Sequence, residues 1–222
     1  MSDNKQIEME PVVAKDLRSL KKIIKKAIKK NGNNCDLNFI DVSALTDLSG
    51  LFRFAETRKF NGDIRQWDVS NVTNMSHMFE KSKFNGDISQ WDVSNVTNMN
   101  CMFRESKFNG DISQWGVSNV KNMRRMFYGA AVFNGDISKW DVSSVTDMSK
   151  MFAFSRFNGD ISKWDVSKVE NMECMFLHTN FNGNISKWDV SNVKKKDGMI
   201  AKCSILNGSN DEVLAKLPFS WR

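Results

Sequence analysis

The sequence predicts an α/β solenoid with one short parallel strand and one short helix per turn of 24 residues. Two observations carry that prediction: a phrase that recurs at a fixed interval, and one apolar pattern repeated inside it. Starting at Phe60 the chain reads FNGDIRQWDVSNVTNMSHMFEKSK, and from Phe84 it reads FNGDISQWDVSNVTNMNCMFRESK. Further copies open at Phe108, Phe133, Phe157 and Phe181, giving spacings of 24, 24, 25, 24 and 24 residues. A third observation follows from these. One copy carries eight large apolar side chains, too many to bury alone, so the copies must stack.

Three segments result. Residues 1–39 read as a basic amphipathic capping helix with its lead-in, 40–193 as the repeat array, and 194–222 as a C-terminal cap. Within the array, 40–59 is a partial copy (IDVSALTDLSGLFRF from Ile40) that matches the second half of the unit. Full copies begin at 60, 84, 108, 133 and 157, and a truncated copy from 181 decays after Val193 into KKKDGMIAKC. The extra residue of the longer interval falls at YGAAV after Phe127, which reads as a loop.

Each element of the unit has a physical reason. Trp67 and Val69 stand two apart, as on one face of a strand, within the I-x-x-W-x-V-x-x-V spacing of a leucine-rich repeat. Val72, Met75, Met78 and Phe79 follow at i, i+3, i+6 and i+7, a helical stripe that Ser70 or Thr73 is placed to cap. Asn61-Gly62-Asp63 reads as a turn, with the glycine supplying a positive φ. Parallel pairing at about 4.8 Å per turn would put Trp67, Trp91, Trp115, Trp140, Trp164 and Trp188 in one core file. The six phenylalanines that open the copies would form another.

The ends of such an array need covers. Leu17, Leu20, Ile24, Ala27 and Ile28 form an apolar stripe on a helix whose other face carries lysines, suited to the N-terminal end. Val213, Leu214, Leu217, Pro218, Phe219 and Trp221 are the candidates for the other end. The net charge of +6 is uneven along the chain: residues 1–14 carry −2, residues 15–30 carry +7, and the rest sum to about +1. No stretch approaches 18 apolar residues, which excludes a membrane-spanning helix. Met1 is followed by a polar, acidic run without the features of a secretory signal, so a cytoplasmic location is expected, with four free thiols to match.

The phrase FNGDISQWDVSNVTNM followed by MF resembles the bacterial surface protein A-like (BspA-like) leucine-rich-repeat family, including the lipoprotein repeats of mycoplasmas. The resemblance runs from about Ile40 to Val193. It implies a leucine-rich-repeat-like solenoid, often on bacterial surfaces, used for adhesion or for recognition of other proteins. It carries no catalytic residues to transfer, and it sets a cell-surface location against the cytoplasmic one.

Residue chemistry agrees with a non-enzyme. His77 and His178 are the only histidines, and neither belongs to HExxH or to a nucleophile motif. The column His77, Cys101, Arg125, Lys150 and Cys174 reads as a solvated helix face, because it accepts four residue types. Cys101 and Cys174, three turns and so about 14 Å apart, are beyond the roughly 7 Å that a disulfide allows, and Cys35 and Cys203 lie near opposite ends. Asp63, Asp87, Asp111, Asp136 and Asp160 form a file of like charges that Asn184 ends; a second file of Asp41, Asp68, Asp92, Asp141, Asp165 and Asp189 is broken by Gly116. Turn and cap duties are the leading account of both files; a bound cation held by the first is the alternative.

No cofactor is expected. The partner reading is an unidentified protein bound by a monomer, with no nucleic acid. Between copies the strand side is monotonous, whereas the fillings EKSK, RESK, YGAAV, AFSR and LHTN differ. Tyr128 and Phe154 on this varied edge are the contact candidates, because exposed aromatics make efficient contacts. Two alternatives stay open. One is a structural or membrane-peripheral protein docked on anionic lipid through the lysines of residues 15–30; the other is a cation-stabilised binder.

Overall fold

The first described element is a strand too short to be read from sequence. In a computed structural model that describes residues 11–206, 212 and 215–221, β1 (Val12–Val13) pairs in parallel with β2 (Ile40–Asp41), Val12 opposite Ile40. Between them lies α1 (Leu17–Asn31). Asp16 caps it in extended conformation, its carboxylate accepting the Ser19 N–H at 2.6 Å while the Ser19 hydroxyl accepts the Asp16 N–H at 3.0 Å. Gly32, at φ 84°, ends it. Leu20, Ile24 and Ala27 are buried, with Leu17, Ile23 and Ile28 packed beside them, in one core with Leu37, Ile40 and Val42. The acidic opening with Asp3, Glu8 and Glu10 lies outside the described residues.

Neither the strand expected at Trp67–Val69 nor the helix expected over Val72–Phe79 forms. The parallel contacts fall five residues later than Val69, as single bridges running Asp47, Asn74, Asn98, Asn122, Asp147, Asn171 and Lys195. The segments between are tight turns. Trp67 donates back to the Ile64 carbonyl at 3.2 Å, Val72 to Val69 at 2.9 Å, and Met78 to Met75 at 3.2 Å. A run of three-residue turns brings every third residue inward, so it leaves the same apolar spacing as a helix. It also keeps half of the N–H groups free for the neighbouring copy, which a helix would not. Ser70 and Thr73 therefore cap nothing: the Ser70 hydroxyl donates to Asp68, and Thr73 to the Thr46 carbonyl one copy back.

Copies are tied in a register of one unit. The N–H groups of Met75, His77, Phe79 and Lys81 donate to the carbonyls of Asn98, Asn100, Met102 and Arg104 at 2.8 to 2.9 Å, and later copies repeat the pattern. Each of the six repeat tryptophans is buried, and its indole N–H reaches a carbonyl of the preceding copy: Trp91 to Ile64, Trp115 to Ile88, Trp140 to Ile112, Trp164 to Ile137 and Trp188 to Ile161, at 3.0 to 3.2 Å. Trp67 does the same to Leu37 at 2.9 Å. Two files of phenylalanine stack beside them. One follows Phe52, Phe79, Phe103, Phe127, Phe152 and Phe176 at 5.4 to 5.8 Å, and the rings that open the copies lean on it at 4.0 to 4.9 Å.

The corner glycine has a different task from the one expected. Gly62 does not adopt a positive φ; a Cβ there would meet the Cys35 carbonyl oxygen at 1.9 Å and the Phe60 ring at 2.8 Å. Close approach, and not handedness, demands it. Beside it an asparagine ladder climbs the stack: the side-chain oxygen of Asn61 accepts the Asn85 N–H at 2.7 Å, and Asn85, Asn109, Asn134 and Asn158 continue it at 2.7 to 3.2 Å. At the far end Leu217 is buried and the Ile185 N–H pairs with the Lys216 carbonyl, whereas Phe219 is 84% exposed. Val213, Leu214 and the Trp221 side chain lie outside the described residues.

Trp115→Phe keeps an aromatic ring but removes the donor to the buried Ile88 carbonyl. A loss of about 2 kcal/mol in urea unfolding is expected, with circular dichroism unchanged at zero denaturant.

Candidate functional site: the varied edge of the copies

The eight residues between one constant phrase and the next, Ser76–Lys83 in the first full copy, fold as overlapping turns. Glu80 donates back to His77 at 3.2 Å and Ser82 to Phe79 at 3.0 Å. These turns set two columns in left-handed conformation. His77, Cys101, Arg125, Lys150 and Cys174 lie at φ 53° to 58°, and Lys81, Glu105, Phe154, His178 and Lys202 at 53° to 58°. The His77 column is therefore not a helix face, and its tolerance of residue type has another cause. The backbone, tied to the next copy, dictates the conformation, and the column is not a solvated one: Cys101 is buried and His77, Arg125, Lys150 and Cys174 are half-buried.

Because copies repeat in register, each position of this stretch forms a row along the stack. One row runs Arg53, Glu80, Arg104, Tyr128, Ala153 and Leu177. Glu80 is 3% exposed and is its hub: one carboxylate oxygen meets Arg104 at 2.7 Å, and the other meets His77 Nδ1 at 2.7 Å and Arg53 at 3.3 Å. Arg104 also pairs with Glu105 at 2.7 Å, and its guanidinium lies 5.4 Å from the Tyr128 ring. Arg125 approaches the same ring at 5.9 Å. Tyr128 and Phe154 do come together, 5.4 Å apart and tilted by 57°, and His178 stacks on Phe154 at 5.0 Å. Phe154 is 45% exposed. Sequence reading found the two aromatics but not Glu80 or the arginines; a row-by-row comparison at the 24-residue interval lines up Glu80, Arg104 and Tyr128, whereas Arg53 stands 27 residues before Glu80 and joins the row only in the folded stack.

Helix α1 abuts the start of this edge. Lys25 pairs with Glu56 at 3.3 Å, Lys21 donates to the Ser49 carbonyl, and Lys21 and Arg53 both lie over the exposed Phe54 ring. Arg18, Lys22, Lys26, Lys29 and Lys30 face solvent. No helix among the described residues is long and apolar enough to cross a membrane.

Within the constant phrase the aspartates are turn-formers. Asp87, Asp111, Asp136 and Asp160 each accept the N–H of the serine two residues on at 2.9 to 3.0 Å, and Asn184 accepts Ser186 in the same way. Asp63 accepts the Arg65 N–H and pairs with its guanidinium at 2.8 Å. The serine N–H and hydroxyl hold the carboxyls of Asp87, Asp111 and Asp160 below their ordinary value; at Asp136 the hydroxyl contributes most. Burial raises Asp63, but the bonds from Arg65 outweigh it. Among the described residues no group of three or more His, Cys, Asp or Glu side chains could hold a metal ion. Cys35, Cys101 and Cys203 are buried free thiols whose acidity burial weakens, and Cys174 is half-buried and free.

A family model, DUF285, described as a Mycoplasma protein of unknown function, matches residues 18–120 and again 105–213. The chain belongs to this family. The two DUF285 matches together take in α1, every copy and the start of the C-terminal segment, so tandem repetition is a property of the family as well as of this chain. No curated protein and no solved structure matches it.

Two outcomes test the site. Glu80→Ala should destabilise the chain by about 3 kcal/mol in urea unfolding, since it strands two arginines around a vacated position, and Glu80→Gln should lose less. The turn aspartates bind protons more weakly folded than unfolded, so their contribution is present above the ordinary value of 3.8 and lost as pH falls through the lowered one. Urea midpoints should hold between about pH 7 and 5 and drop at about pH 3.

Proposed function

We propose that the chain is a leucine-rich-repeat-like solenoid, of the BspA-like kind, that serves as a non-enzymatic scaffold for recognition of another protein. The cluster of Arg104, Arg125, Tyr128, Phe154 and His178 carries the reading. Tyrosine and arginine are among the residues that most often dominate protein interfaces, and here they stand on the stretch of the unit whose fillings change most from copy to copy. Constancy elsewhere has a structural reason: phenylalanine, tryptophan, asparagine, glycine and aspartate in the sixteen-residue phrase each serve the core or a turn. That leaves the edge as the part free to encode a partner. Against an enzyme, the turn carboxylates are engaged by backbone N–H groups, and the two histidines stand more than four copies apart in sequence, without a nucleophile motif. The partner is set in a reducing compartment, which four free thiols suit.

A photo-crosslinking phenylalanine analogue placed at Phe154 tests the reading, with the same analogue at Gln114 on the constant side as reference. In extracts of the source cell a discrete protein adduct is expected from position 154, weakened by Tyr128→Ala and not formed from position 114. Equal labelling from both positions, or none from either, would overturn it.

A further inference from the structure

The stack separates charge in a way the linear sequence hides. Residues 49–59, 76–83, 100–107, 124–132, 149–156 and 173–180 make up the edge, and they hold eleven Lys and Arg against four Glu, a net +7. The remaining residues of 31–193 hold six cations against fifteen carboxylates, a net −9. Summed along the chain the two nearly cancel. In the stack they do not mix, because parallel bridges at one-unit offset place each position above its equivalent. One edge of the molecule is a cationic band, and α1 extends it at the first copy through Lys21 and Lys25.

The carboxylates on that edge are already engaged. Glu56 pairs with Lys25, Glu80 with Arg53 and Arg104, Glu105 with Arg104 and Lys81, and Glu173 with Lys150. Lys83, Lys107 and Arg156 share one row, are exposed, and have no carboxylate within ion-pair distance among the described residues. Their neighbours two positions on are Asn85, Asn109 and Asn158, whose oxygens are spent on the ladder. Like charges one copy apart repel unless something negative lies across them.

We infer that the recognition edge binds an acidic protein segment, whose carboxylates lie across the row of Lys83, Lys107 and Arg156 beside the Tyr128–Phe154 pair. The inference rests on the scaffold reading above. Six of the nine arginines stand on this edge, and a guanidinium fork matches a carboxylate with two bonds. A single-stranded nucleic acid would need open ring faces to stack on, yet Tyr128, Phe154 and His178 pack against one another. An anionic bilayer would need apolar side chains to insert, and past the first copy the edge exposes only Val132 and Phe154 as large ones among the described residues.

Fluorescence anisotropy on the full chain with a fluorescein-labelled oligoglutamate peptide tests this. The triple variant Lys83→Glu, Lys107→Glu, Arg156→Glu is compared with Lys139→Glu, Lys163→Glu, Lys187→Glu, which makes the same change in net charge at exposed positions on the other side. Circular dichroism confirms folding of both. The edge triple should bind at least about tenfold more weakly than the parent and the other triple within about twofold, with parent binding fading as salt rises from about 50 to 500 mM. Equal weakening in both triples would overturn the inference, as would loss only on Lys26→Gln, Lys29→Gln, Lys30→Gln. Tighter binding of an oligothymidine of equal charge, or of phosphatidylglycerol vesicles, would overturn it in favour of those partners. A crosslinked protein at Phe154 without oligoglutamate binding would sink this inference and leave the scaffold reading standing; no adduct at Phe154 sinks both.

Discussion

The tie between neighbouring copies is made by N–H groups at alternate positions of one short stretch, and the rest of the molecule is arranged so that this tie can be made at every level. From Met75 to Lys81 every second N–H leaves its own copy for the next; of the intervening ones, Met78 and Glu80 turn back three residues and Ser76 donates to the Asn74 side chain. That division works only when each copy has the same perimeter and begins at the same place. The corner glycine, the aspartate turns and the buried indoles all serve that constant perimeter: Gly62 lets the chain pass within contact of Cys35, and each indole N–H satisfies a carbonyl of the copy before. The one longer interval is absorbed at 128–132, where Gly129 takes the left-handed position at φ 63° and the Phe127 and Phe133 rings close to 4.0 Å.

The tie has a local cost. Among the described residues ten other than glycine hold a positive φ between 53° and 58°, including Phe154, His77 and His178. Left-handed backbone at such residues is unfavourable by about 1 kcal/mol or more each. The compensation lies in what the strained residues do: His77 and Lys81 donate N–H groups across the copy boundary, over a core of phenylalanine, tryptophan and methionine that is almost wholly buried. Strain and packing are shared evenly along the stack, which is how a repeat array distributes its stability.

Much of this was legible in the letters. The unit length, the inward residues, the tryptophan file and the N-terminal helix follow from periodicity, and comparing copies singles out Tyr128 and Phe154, though not that their rings meet. The secondary structure inside the unit did not. Val72, Met75, Met78 and Phe79 are spaced as on a helix, but a series of three-residue turns gives the same spacing, and only the destination of the N–H groups tells them apart. Glycine between asparagine and aspartate suggested a positive φ, whereas its need is set by a ring and a carbonyl that the local sequence does not name. Val12 and Val13 are too brief for any periodic signal. Glu80 looked like one solvated residue among varied fillings; its meaning depends on Arg53 and Arg104, each a copy away.

The asparagine ladder has a consequence for how this protein ages. Every full copy contains Asn-Gly, the dipeptide in which the glycine nitrogen most readily attacks the asparagine side chain and expels its amide as ammonia. In the stack that carboxamide is pinned by the N–H of the next copy, as Asn61 is by Asn85 at 2.7 Å, so the attack geometry is withheld while neighbours stay docked. Asn182, with no copy above it, is held by the Lys216 ammonium at 2.7 Å, on a mobile-natured side chain and not on a backbone. Among the ladder asparagines chemical wear therefore starts at Asn182, and the amide lost there adds a negative charge to the last copy.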